Sequence, residues 1–181
     1  MTKLIFLGVS SSIAAYKAND LVFGFKKKGF DVQVALTKNA QALTSINTLQ
    51  SLSSHEVITE VQQEIDPSII LHVWLAQNCD AFVLAPASAN IIGKLANGIA
   101  DDFITTAALA LPKTTKKFIA PAMNTTMFEN PFVQENLKRL EKAGFIVIEP
   151  RTSLLACGVE GKGAMESTNN ILQLVEQSLT H

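Results

Sequence analysis

Five apolar runs recur along the chain: "KLIFLG" (3–8), "DVQVALT" (31–37), "AFVLAP" (81–86), "KFIAP" (117–121) and "FIVIEP" (145–150). Their hydrophobicity is nearly continuous rather than alternating, which is the pattern of strands covered on both faces. Segments of helical period separate them. In "IAAYKANDLVFGFKKKG", Ile13, Tyr16, Lys17, Asp20, Leu21 and Phe23 fall at near-helical spacing, and Gly29 supplies a stop. "NPFVQENLKRLEKAG" (130–144) repeats that design, with Pro131 early, Phe132, Leu137 and Leu140 directed inward, and Gly144 at the end. Residues 168–180 predict a last helix, and residues 53–71 a short extra strand or a loop.

Strands and helices alternating through short joins predict right-handed βαβ units. The expected fold class is α/β, a Rossmann-like doubly wound parallel sheet forming a single domain over residues 1–181. Such sheets bind ligands beyond the carboxyl ends of their strands. The stretches that follow the strands are "GVSSS" (8–12), "TKNA" (37–40), "APASAN" (85–90) and "APAMN" (120–124). Small, hydroxylated and amide-bearing residues at four corners of one rim suit close approach to a ligand better than solubility.

Composition narrows the class. Charged residues make up 17% of the 181, against about a quarter in ordinary soluble domains, which hints at surface covered by other subunits. The net charge is −1 and the longest basic run is Lys26-Lys27-Lys28, so no nucleic-acid surface is expected. No apolar stretch approaches the ~18 residues that span a membrane. "MTKLIFLGVSSSIAA" superficially imitates a signal peptide, but Gly8 breaks its apolar run and we read it as the first strand. Cys79 and Cys157 have no CxxC or CxxH neighbours, which suggests neither a metal site nor a disulfide, and fits reduced thiols in the cytoplasm.

"GVSSS" lacks the later glycines of GxGxxG, and "GVEGKGAM" lacks the Gly-Lys-Ser/Thr ending of a phosphate loop. Ser10, Ser11 and Ser12 at the start of the first helix either cap it or, with its backbone N–H groups, receive one phosphate. In "APASAN", Pro86 ends a strand, Ser88 can cap the next helix and Asn90 offers donor and acceptor. Small Ala85, Ala87 and Ala89 would let a flat ring lie against backbone.

Of three histidines, His72 in "LHVWLA" opens a short helix leading to Asp80. Near a helix N-terminus its cation is disfavoured, so it is either a neutral proton acceptor or a satisfied buried residue. Asn124 either caps the following helix or donates to a carboxylate. Cys157 heads "CGVEGKGAM" with Gly158, Gly161 and Gly163 close behind. A thiol on so glycine-rich a loop could exchange a proton, with Lys162 favouring the thiolate, while the loop shuts over a substrate.

Together, "GVSSSIAAYK", "LHVWLA", "APASANIIGKLANGIADD", "PAMNTTMF" and "ACGVEGKGAM" closely resemble the homo-oligomeric flavin-containing cysteine decarboxylases. The resemblance covers nearly the whole chain and implies a flavoprotein fold with FMN bound between subunits of a trimer, or of a dodecamer built from trimers. It implies His72 as the active-site base, Asn124 as the carboxylate-binding amide and Cys157 as the final proton donor. It places Gly8, Ser10, Ser11, Ser12, Thr37, Pro86, Ala87, Ser88, Ala89, Asn90 and Ala122 against the flavin. Asn124, Met127, Ala156, Gly158, Gly161 and Lys162 fall on its substrate-contacting positions. The family's Pro-x-Met-Asn-x-x-Met-Trp pattern ends here in Phe128, another aromatic.

The implied chemistry is reasonable. A cysteine carboxylate has no adjacent electron sink, but oxidising its CH2–SH unit to a thioaldehyde places the carboxylate β to a C=S group. Loss of CO2 then leaves an enethiolate, which hydride return and a proton from Cys157 convert to a saturated thiol. Within the family the best-matched substrate is 4′-phosphopantothenoylcysteine of coenzyme A biosynthesis, with its ligase expected on a separate polypeptide. A peptide's C-terminal cysteine is the alternative. A related flavin prenyltransferase is disfavoured by "ACGVEGKGAM", and a flavin-binding regulatory subunit by the lack of an acidic tail.

Overall fold

The computed structural model describes residues 2–61, 68–154, 158 and 160–180. The main sheet comprises β1 (Leu4–Val9), β2 (Asp31–Leu36), β3 (Ala81–Ala87), β4 (Lys116–Pro121) and β5 (Phe145–Val147), in the order β2-β1-β3-β4-β5. Every neighbouring pair in it is parallel. The helices are α1 (Ala18–Lys27), α2 (Ile46–Ser53), α3 (Leu71–Asn78), α4 (Ala89–Ala96), α5 (Phe103–Leu109), α6 (Thr125–Glu129), α7 (Pro131–Lys142) and α8 (Thr168–Thr180). Two 3-10 turns, Ile13–Lys17 and Lys38–Ala42, follow β1 and β2.

The apolar runs are continuous because helices cover both faces. On one face Leu21, Val22 and Phe25 of α1, Leu49 of α2 and Ile171 and Val175 of α8 share a core with Ile5, Leu7, Val32 and Val34. On the other, Leu75, Ile92, Phe103 and Leu137 pack with Phe6, Phe82 and Leu84. There the Phe6 ring lies 5.0 Å from Phe82 and meets Phe103 edge-on at 6.1 Å. Full burial of each such side chain contributes about 2–3 kcal/mol.

Several expectations are corrected. The fifth strand stops at Val147, not residue 150: Ile148 still donates to the Ile119 carbonyl, but Pro150 has no N–H to continue a ladder. The glycine-rich stretch is not simply a loop, because β6 (Arg151–Leu154) and β7 (Glu160–Ala164) pair antiparallel and Gly161 and Gly163 lie within β7. Phe132, expected inward, is 78% exposed, and its neighbour Val133 is buried instead. In the first helical segment, Ile13, Tyr16 and Phe23 are exposed, while Ala14, Ala15, Ala18, Val22 and Phe25 face the core. Within 53–71, Ile58 forms a single parallel bridge to Ala35.

Candidate functional site

Strand order 2-1-3-4-5 reverses direction between β1 and β3, which is where open α/β sheets receive ligands. Here the loops beyond the strand ends are laced together. The buried Ser10 hydroxyl donates to the Pro86 carbonyl at 2.8 Å and accepts the Ser88 N–H at 2.8 Å. Ala122 donates its N–H to the Ala87 carbonyl at 3.0 Å, and Met123 donates to the Gly163 carbonyl at 2.9 Å. The loops after β1, β3 and β4 and strand β7 therefore form one fixed rim.

Above this rim lies a cleft of about 610 Å³. Ser11 and Ser12 stand at one end, where Ser12 caps the 3-10 turn by accepting the Ala14 N–H. The backbone N–H groups of Ser11 and Ile13 have no acceptor among the described residues. Ser88, Ala89 and Ala122 supply small side chains along the wall, and Asn124 and Met127 line it from the β4 side. The Asn124 Oδ1 accepts the Thr126 N–H at 2.9 Å, so the capping role read from sequence is present and fixes the amide's orientation.

Other sequence-predicted residues sit elsewhere. Gly8 is interior to β1, and a Cβ there would lie 2.9 Å from Ile104 Cγ2, so its smallness serves helix packing. Ser10, Pro86 and Ala87 are buried behind the wall they brace, while Asn90 is exposed on α4. Thr37 precedes the second 3-10 turn and donates its N–H to Val9. Lys162 is paired with Glu149 and sits 5.4 Å from the Phe128 ring centroid. Phe128 itself is buried, so the aromatic in place of the expected tryptophan fills core. His72 lies in the first turn of α3, half-buried, and is absent from the wall of this cleft. Gly158 has φ +80. Ala156 and Cys157 lie outside the described residues.

The cleft also uses residues that the sequence reading missed. Ile13, Tyr16 and Lys17 line it from the 3-10 turn, and Arg151, Ser153 and Leu154 from β6. Tyr16 and Lys17 stand within "GVSSSIAAYK", whereas nothing in the local pattern marks Arg151 before the hairpin is known. Burial, and then the Arg151 guanidinium, lower the pKa of Lys17, with Asp20 and Glu166 opposing. Cys79, the thiol among the described residues, is buried and pushed up to about 12, which makes it an inert core side chain. No group of three or more potential metal ligands occurs among the described residues.

A parallel sheet with a cleft of this size at its switch point, edged by amide donors and walled by small side chains, suits a phosphorylated ring cofactor. The family model described as Flavoprotein matches residues 1–180, and the chain belongs to that family. It is 49% identical over 179 residues to a probable phosphopantothenoylcysteine decarboxylase of Streptococcus mutans serotype c (strain ATCC 700610 / UA159), covering 99% of this chain and all of that one. It is 45% identical to the coenzyme A biosynthesis bifunctional protein CoaBC of Bacillus subtilis (strain 168), covering 96% of this chain but 42% of that relative. Among solved structures, a PPC decarboxylase mutant complexed with pantothenoylaminoethenethiol superposes with TM-score 0.89 at 31% identity over the whole of both chains. The FMN binding protein AtHal3 gives 0.83 at 32% identity, over 98% of this chain and 97% of the other.

FMN fits the residues present. The unpartnered amides at Ser11 and Ile13 offer donors to its phosphate. The small side chains of Ser88, Ala89 and Ala122 leave the wall low where a flat ring would lie.

Proposed function

We propose that this chain catalyses the FMN-dependent decarboxylation of 4′-phosphopantothenoylcysteine to 4′-phosphopantetheine in coenzyme A biosynthesis. The observation that carries the reading is the cleft itself, which holds amide donors at one end and Asn124 on the β4 wall within a flavoprotein fold. When bound, the flavin supplies a two-electron oxidation of the substrate's CH2–SH unit and its later reversal.

The chain's own residues bind, orient and move protons. Asn124, oriented by its cap on Thr126, presents amide N–H donors to the substrate carboxylate. Met127 and Ala122 exclude water beside it. His72 serves as the base, and Cys157, between β6 and β7 in sequence, returns the final proton.

His72 is not on the cleft wall of its own chain. We infer that a neighbouring copy delivers it, in a closed homo-oligomer built of trimers. The exposed apolar side chains Ile13, Tyr16 and Leu154 along the cleft support this, since such groups are normally covered when functional. The described residues contain no helix long and apolar enough to cross a membrane, and we place the activity in the cytoplasm. The bifunctional relative is matched over 42% of its length, and only the decarboxylation is assigned to residues 1–181.

The test is CO2 release from carboxyl-labelled 4′-phosphopantothenoylcysteine by flavin-loaded protein without nicotinamide. Release in step with substrate loss is expected. Release only from peptides ending in cysteine would move the assignment to the peptidyl reaction.

A further inference from the structure

Among the described residues, Lys17 and Arg151 are the charged side chains that line the cleft, and no carboxylate does. Lys17 ends the 3-10 turn, and its Nζ has no hydrogen-bond or ion-pair partner among the described residues. Arg151 opens β6. Its Nε donates to the Met165 carbonyl at 3.4 Å and lies 3.6 Å from Glu166 Oε1, an oxygen that also accepts the Ser167 N–H. One edge of the guanidinium is thus anchored, while Nη1 and Nη2 have no partner among the described residues.

Two cations facing one cleft repel each other, and a multiply charged anion bound between them relieves that repulsion more than the single edge-on carboxylate of Glu166 does. Burial first lowers the pKa of Lys17 and the Arg151 charge lowers it further, against Asp20 and Glu166, so the two cations sense one another across the cleft. We propose that Lys17 and Arg151 together bind the terminal phosphate of the substrate's phosphopantothenoyl arm and so select that arm over an unphosphorylated chain or a peptide. The proposal rests on the decarboxylase reading and names the part of the cleft that recognises the substrate.

A phosphomonoester carries roughly −1.5 to −2 charges at neutral pH and three acceptor oxygens. A guanidinium edge meets two of these and an ammonium adds a mobile point charge. The flavin also ends in a phosphomonoester, but the free amides that suit it are at Ser11 and Ile13. From Ser12 to Lys17 the 3-10 turn rises about 10 Å at ~2 Å per residue. The two ends of one turn therefore serve two phosphates.

The experiment compares 4′-phosphopantothenoylcysteine with pantothenoylcysteine on flavin-loaded wild type, Lys17→Ala, Arg151→Ala and the double variant. Wild type should prefer the phosphorylated substrate in kcat/KM. Each single substitution should cut that preference at least about tenfold, through KM, as loss of a charge-assisted contact does. The double variant should bring the ratio near one, with flavin content retained, and Lys17→Arg should restore much of the preference. Equal losses on both substrates, or loss of flavin in place of loss of preference, would overturn the proposal. If wild type turned over neither substrate, the decarboxylase reading would fail separately. Calorimetric titration with phosphopantothenate and pantothenate would then decide the subsite: phosphate-dependent binding abolished in the double variant supports it, and equal binding by wild type and variant rejects it.

Discussion

Met123 donates its N–H to the Gly163 carbonyl at 2.9 Å, and a Cβ added at Gly163 would lie 2.2 Å from the Met123 carbonyl oxygen. The hairpin strand β7 is thus in backbone contact with the loop that carries Asn124. Only glycine permits that approach, so Gly163 fixes the hairpin's base against the cleft wall that carries Asn124. Gly163→Ala should separate the two. It should lower stability by about 1–3 kcal/mol and reduce turnover more than flavin content. Thermal unfolding and the flavin-to-protein ratio read these effects, and an unchanged melting point and turnover would contradict the contact's role.

The proposed sharing of one site between two copies predicts complementation. His72→Asn should keep yellow flavin and lose CO2 release, and Asn124→Asp should be similarly impaired. Co-expressed, the two variants should assemble some sites that combine an intact Asn124 from one copy with an intact His72 from another. Recovered turnover in the mixture is the expected result, and a mixture as inactive as its parents would place both residues in one chain's site.

Cys157→Ser should still release CO2, in an amount limited by its flavin content, and leave the enethiol product in the same amount, because in the proposed order decarboxylation precedes the final proton transfer. Rapid product analysis checks this. Normal saturated thiol from that variant would remove Cys157 from the reaction.

Asp31 joins the start of β2 to Lys26 at 3.0 Å and to His55 at 2.8 Å. Burial, the largest single influence, pushes its pKa up, but the bonds to Lys26 and His55 together hold it below the usual carboxylate value. A carboxyl depressed on folding stabilises the protein above its unfolded pKa, about 3.9, and loses that contribution as pH falls through the lower folded value. Asp31→Asn should therefore be less stable than wild type at neutral pH, with the gap closing below about pH 4. Denaturant midpoints across that range measure it. Since Asp31 is about a third exposed, solvent screening keeps the effect small.

The fold was legible where local pattern and burial agree. β3 is buried at every position, and its run "AFVLAPA" shows no alternation. Ser88 and Asn124 behave as the helix caps that their positions suggest. The hairpin was not legible, because Arg151, Thr152 and Leu154 are exposed and β7 carries two glycines, so neither strand has an apolar face to announce it. Phe132 misled for another reason. Periodicity groups residues onto faces but does not say whether the chain itself or a neighbour covers them. The part of the cleft formed by Ser11, Ser12, Ser88, Ala89, Ala122 and Asn124 was therefore foreseeable from small and amide-bearing residues at strand ends. Lys17 and Arg151 acquire meaning only once β6 is brought opposite the first turn.

The most direct test is mass spectrometry of the product formed when flavin-loaded protein meets 4′-phosphopantothenoylcysteine without nicotinamide. The account predicts 4′-phosphopantetheine, lighter than the substrate by one carbon dioxide and otherwise unchanged in oxidation level. Intact substrate, or a product lacking a further two hydrogens as the main species, would contradict it.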